Sequence, residues 1–297
     1  MTALESNKSE DKNMEKTSDI KNAASLLTAL AIVAMSVRVS AGCSYDITSD
    51  TEHSVIADGF RYEGELLYVE DTAYVSLREF ACMADNSVVW WDEEEESAHV
   101  VTDSLTLRAP EDEEYIEANG RMLWCEYGVF TENDTLYVPL GVAAKAFGFY
   151  TTYIPEEHTT YLVRRYAALD TAEAFYDPEE LDWLSRIIHA EAQGEPFRGK
   201  LAVGNVILNR VRSEEFPDTI YDVIFDNDHG VQFTPTVNGA INNTPNEDSV
   251  IAAKLCLDGA SLDDDMLYFL NEEIAESLWI PQNCRFVMSV GEHSFYS

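Results

Sequence analysis

The sequence predicts an α+β protein in two parts, an N-terminal β-rich module of two repeats and then a mainly helical domain. Three observations predict it. Similar segments recur at an offset of 63 residues, Y-V-S-L-R-E-F at 74–80 and Y-V-P-L-G-V-A at 137–143. A capped amphipathic helix starts at Asp177. The 297 residues exceed one small domain, and 46% hydrophobic residues can supply two cores.

The chain opens with a polar stretch, residues 1–22, followed by an uncharged run over 23–37 that Arg38 ends. A 15-residue apolar run before Val39-Ser40-Ala41 reads as a secretory signal cleaved after Ala41. A bilayer span takes about 20 apolar residues. A retained membrane tether through 23–37 is the alternative, and a buried helix a third. Either of the first two places the mature chain outside the cell, in or near the wall.

Residues 54–165 read as strands and turns. Each repeat is a strand, a short helix (Leu77–Ala84, then Leu140–Phe147) and a hairpin carrying aromatic residues. E-A-N-G-R at 117–121 is the turn between them. His53, His99 and His158 are scattered in sequence, without ligand spacing, and read as surface or structural residues. The run Asp92–Glu96 reads as a solvated hairpin tip. Residues 166–176 carry no Gly or Pro and suit a short helical linker.

From Asp177 the pattern changes to helix. Asp177 is an N-cap, Pro178 suits the first helical position, and Gly194 is a stop. Leu181, Leu184, Ile188 and Glu191 share one face, so a carboxylate takes an apolar position in the last turn. Burial and the negative end of the helix dipole both disfavour its charged form. A protonated acid at neutral pH is what a general acid requires. Pairing with a buried arginine is the structural alternative. Asn205 and Asn209, one turn apart on the following helix, read as a solvated stripe.

Charge and motifs exclude several classes. The chain carries 19 Lys+Arg against 55 Asp+Glu, a net charge of −36, which repels nucleic-acid phosphates. There is no Gly-rich phosphate loop, no C-x-x-C among five cysteines, and no H-E-x-x-H. No cofactor and no metal are therefore expected.

Two resemblances join these readings. The paired Y-V-x-L elements and V-V-W-W-D at 88–92 resemble the copper amine oxidase N-terminal-like domain, common in exported proteins of Gram-positive bacteria. The name implies no copper here, and the segment is expected to bind or space. From 184–213 (L-S-R-I-I-H-A-E-A-Q-G-E-P-F onward), through F-P-D-T-I-Y-D-V-I-F at 216–225, Q-F-T-P at 232–235, L-Y-F-L-N at 267–271 and V-G-E-H-S-F-Y at 290–296, the chain is similar to cell-wall hydrolases of the spore-cortex-lytic (SleB) type. That resemblance covers 177–297. It implies a lysozyme-like, lytic-transglycosylase-like fold, peptidoglycan glycan strands as substrate, and Glu191, in A-E-A, as the catalytic acid. Gln193, His189 and Glu272 depart from the family's usual Arg, Tyr and Pro.

The implied activity is a lytic transglycosylase at the muramoyl–glucosamine bond, which needs one carboxylate. The alternatives are true muramidase or glucosaminidase hydrolysis with a second carboxylate, Glu195 being nearest, or a non-catalytic wall-binding protein. Gln232 and Phe233, in a loop, and Tyr268 and Asn271, at an apolar run, are candidate substrate-binding residues together with Glu195. His293 reads as a packed C-terminal histidine.

Overall fold

A computed structural model describes residues 35–38 and 44–297, apart from 229, 276 and 278. The apolar run at 23–37 lies outside the described residues except for its end, which enters a strand, β1 (Met35–Arg38). Among the described residues no helix is long and apolar enough to cross a membrane.

The first half is β-rich. Its strands are β2 (Ser44–Ser49), β3 (Ser54–Ala57), β4 (Phe60–Arg61), β5 (Leu66–Val69) and β6 (Thr72–Ser76), which runs directly into helix α1 (Leu77–Ala84). Then follow β7 (Val88–Asp92), β8 (Ser97–Val101), β9 (Thr106–Pro110), β10 (Tyr115–Ala118), β11 (Arg121–Trp124), β12 (Phe130–Glu132) and β13 (Thr135–Pro139). Helix α2 (Leu140–Ala146) leads to β14 (Phe149–Ile154) and β15 (Thr159–Arg164). Three sheets result, in the orders β1-β2-β5-β6-β13-β12, β11-β10-β9-β8-β7 and β14-β15-β3-β4.

The repeat is visible as two strand–helix–hairpin units whose strands β6 and β13 pair antiparallel, Val75 opposite Val138. Ser76 caps α1 by accepting the Glu79 N–H at 3.3 Å. Pro139 stands at the matching position and gives α2 no side-chain cap. Both helices bury their apolar faces in one core, where Phe80 and Phe147 meet edge to face at 5.6 Å. Strand β15 closes the module by pairing parallel with β3.

Two of the three histidines come together in space, while His99 stacks on Trp90. His53 and His158 lie 5.2 Å apart, with His158 Nε2 2.8 Å from Asp50 Oδ2 and His53 hydrogen-bonded to Tyr68. Chain folding brings together what sequence separation kept apart. Among the described residues no group of three or more His, Cys, Asp or Glu side chains could hold a metal ion.

The second half is helical. After α3 (Ala172–Phe175) come α4 (Pro178–Ala192) and α5 (Phe197–Arg212). Then follow α6 (Ile220–Phe225), α7 (Pro235–Asn238) and α8 (Glu247–Leu257). A small sheet of β16 (Tyr268–Leu270), β17 (Phe286–Val290) and β18 (His293–Tyr296), with α9 (Trp279–Asn283) between the first two, ends the chain. Helix α5 is the axis: every residue from Leu201 to Arg210 is buried. Asn205 and Asn209 are therefore not a solvated stripe. Asn205 Nδ2 donates to Ala260 O at 2.8 Å and its Oδ1 accepts from Leu262 N, while Asn209 donates to Asp263 O and Met266 O. Both amides anchor the loop after α8, which satisfies them in the core.

The two halves are tied together. Asp258, at the end of α8, accepts Arg121 Nε at 3.1 Å, Lys145 Nζ at 3.1 Å and the Tyr176 hydroxyl at 2.6 Å. Arg198 Nε donates to Glu114 at 2.8 Å. Tyr115 and Met122 of the β-rich half pack into the helical core. Within the 166–176 stretch only Ala172–Phe175 is helical, and Tyr176 pins the stretch to Asp258.

Candidate active site

Helix α4 is built as its sequence reads. Asp177 accepts the N–H groups of Glu179 and Glu180 at 2.9 and 3.1 Å, Pro178 occupies the first position, and Leu184, Ile187 and Ile188 are fully buried. That face carries Glu191 inward in the last turn. No side-chain hydrogen bond or ion pair to Glu191 is found among the described residues. Burial alone lifts its carboxyl from 4.5 to about 7. No arginine among the described residues pairs with it. Two residues earlier His189 is buried and accepts the Asn246 N–H on Nδ1 at 3.3 Å.

Glu195 is differently placed. Its Oε2 accepts the Glu292 N–H at 2.9 Å, and its backbone carbonyl accepts Lys200 Nζ at 2.7 Å. A Cβ at Gly291 would lie 1.9 Å from that same Oε2, so the β17–β18 turn closes on the carboxylate only because residue 291 is glycine. Asn271 Nδ2 donates to Glu292 Oε2 at 3.1 Å, extending the chain of contacts from the α4–α5 turn to β16. His293 is half-buried beside Glu195, and burial lowers its pKa.

Phe233 and Tyr268 come together around a residue that sequence reasoning passed over. The Arg210 guanidinium lies 5.3 Å from the Phe233 ring centre, 5.5 Å from Tyr268 and 4.8 Å from Phe216. Arg210 Nε donates to Leu267 O at 2.7 Å, and burial lowers the guanidinium pKa to about 10. Phe233 itself is buried at 3% exposure, so its ring faces the core instead of a sugar. Gln232 stays at the surface, its amide folded back onto Gly230 O at 3.0 Å. The signal for Arg210 was available: Val203, Val206, Ile207 and Arg210 follow i, i+3, i+4, i+7, the same intrusion of charge on an apolar face that marks Glu191.

This geometry can deliver one proton. It offers a half-buried acid with no side-chain partner among the described residues, at the end of a packed helix, while the next carboxylate along the chain, Glu195, is committed to a backbone N–H.

Comparison with known proteins gives the family. Residues 194–296 match the cell wall hydrolase family, beginning three residues after Glu191, and residues 59–162 match the copper amine oxidase N-terminal domain. The spore cortex-lytic enzyme of Bacillus cereus is 35% identical over 123 residues, 40% of this chain and 45% of that protein. The spore cortex-lytic enzyme of Bacillus subtilis is 32% identical over 123 residues, 40% of this chain and 38% of that protein. The chain thus spans less than half the length of these curated relatives. The catalytic domain of the germination-specific lytic transglycosylase SleB from Bacillus anthracis is 33% identical, covering 41% of this chain and 97% of that one, with a TM-score of 0.38. The chain therefore carries a copper amine oxidase N-terminal domain in its middle and, at its C-terminus, a domain that belongs to the cell wall hydrolases.

Proposed function

We propose that the protein cleaves the glycan strand of peptidoglycan as a lytic transglycosylase, with Glu191 as the single general acid and base. The observation that carries this reading is the Glu191 carboxyl, set in the last turn of α4 with no side-chain partner among the described residues, where burial raises its pKa to about 7. The acid gives its proton to the glycosidic oxygen as the bond to the muramoyl anomeric carbon breaks. The resulting carboxylate then takes the proton of the muramoyl 6-hydroxyl, whose oxygen closes on that carbon. The product is a 1,6-anhydro end, and the acid is restored without water.

Engagement of Glu195 by the Glu292 N–H supports one carboxylate over two. A hydrolase would need a second, positioned for a nucleophile or a water. Tyr268, Asn271 and Gln232 are proposed to border the substrate, with Arg210 holding Phe233 and Tyr268 in place. The domain match supports a wall location, and an apolar segment at 23–37 would serve export.

The test is mass spectrometry of spore cortex and vegetative peptidoglycan, each digested with the protein and with Glu191→Gln. Anhydromuramoyl ends that vanish in the variant are expected. Reducing sugar ends would instead identify a hydrolase, and no glycan product from either wall would leave a binding protein.

A further inference from the structure

The β-rich half contains a cleft of about 430 Å3 that the reaction above does not use. Small-molecule sites span roughly 300–1,000 Å3. The cleft lies between two sheet margins: β7 ends the five-stranded sheet and β12 ends the six-stranded one. Val89, Trp91 and Leu136 give it an apolar floor. Carboxylates from Glu79, Glu93, Glu111 and Asp134 stand around it, and the indole it offers is that of Trp91, because the Trp90 ring alternates to the other face of β7 and stacks on His99 at 5.1 Å. The cation lining it, Arg78, donates through Nη1 to Val89 O at 3.1 Å.

That combination selects a ligand class. Anions are repelled by the surrounding carboxylates and by the chain as a whole. A purely apolar ligand would strip water from those carboxylates and return no hydrogen bonds. A pyranose answers both demands, since its C–H face suits an indole and its hydroxyls donate to carboxylates. We propose that this cleft is a saccharide-binding site, distinct from Glu191, which holds an uncharged sugar of a glycan strand. The choice of N-acetylglucosamine as probe rests on the proposed function. The site itself rests on the cleft.

The experiment uses the full chain with Glu191→Gln, labelled with 5-fluorotryptophan, and reads its five tryptophans by fluorine NMR. Titration with N-acetylglucosamine tetrasaccharide should move the Trp91 resonance and leave exposed Trp279 still. Asp134→Asn and Glu111→Gln should each weaken that response about tenfold, the size of one hydrogen bond to a charged group. Unchanged dispersion of the unliganded spectrum reports that each variant is folded, and exposed Asp134 supplies the test if Glu111→Gln does not fold. No movement of Trp91, or movement only of other tryptophans, overturns the proposal. So does a lysine-bearing stem peptide that shifts it when the saccharide does not. Digestion by the Glu191-intact chain runs in parallel. Lost cleavage with the Trp91 response kept sinks the proposed reaction and leaves the site standing, and the converse result does the opposite.

Discussion

At the scale of single residues, a group that keeps its proton on folding makes stability depend on pH. The Glu191 carboxyl titrates near 7 in the folded chain against 4.5 in the unfolded one. Between those values the unfolded state sheds a proton that the folded state holds, so stability falls as pH rises through that window and levels off above it. Glu191→Gln should therefore match the parent at pH 4 and exceed it at pH 8 by on the order of 2–3 kcal/mol. Urea unfolding at both pH values checks this, and equal stability at pH 8 would show that the carboxylate is solvated. Glu191 was legible in the sequence because helix periodicity exposes a charge on an apolar face. The roles of Glu195 and Asn271 were not, because both are set by Glu292, 97 and 21 residues away. Phe233 was legible only as an aromatic in a loop. Whether such a ring faces outward depends on Arg210, which no local pattern connects to it.

Among elements, the contact of α4, α5 and α8 is set by Gly204. A Cβ there would meet Cys256 Sγ at 2.6 Å and Ile188 Cδ1 at 2.9 Å. Alanine gains helix propensity of about 1 kcal/mol at a free helical site. At this crossing Gly204→Val should instead cost about 1–3 kcal/mol through overpacking. Adding Cys256→Ala should recover part of the loss, and thermal unfolding of the two single variants and the pair measures the coupling. Independent, additive effects would mean the helices can move apart. The elements themselves were largely readable. The cap at Asp177, the two strand–helix units and the helical connection all follow from neighbours within a few residues. Asn205 and Asn209 misled for a physical reason: amides one turn apart look solvated in a wheel, yet each is satisfied by carbonyls of a loop more than 50 residues later.

For the whole molecule, the decisive group is Asp258. Its side chain is 2% exposed and that of its partner Arg121 is 6% exposed. Removing one member of a buried pair leaves the other charge uncompensated, a loss of about 3–5 kcal/mol. Asp258→Asn should lower the melting temperature and let the halves unfold in separate calorimetric transitions. A single transition at the parental temperature would mean that the apolar contacts of Tyr115 and Met122 suffice alone. No local signal announces this pairing, since Arg121, which opens β11, and Asp258, which ends α8, are 137 residues apart. The order in which the chain is made gives the β3–β15 pairing a further meaning. Ser54 is among the first described residues to leave the ribosome, and its parallel partner Thr159 follows only with the last strand of the second repeat. A nascent chain ending before Thr159 holds β3 against β4 alone, a two-stranded piece too small to persist. The module must then fold late and slowly, as long-range pairing dictates, and its sheet margins stay available to folding factors for as long as translation of that stretch lasts.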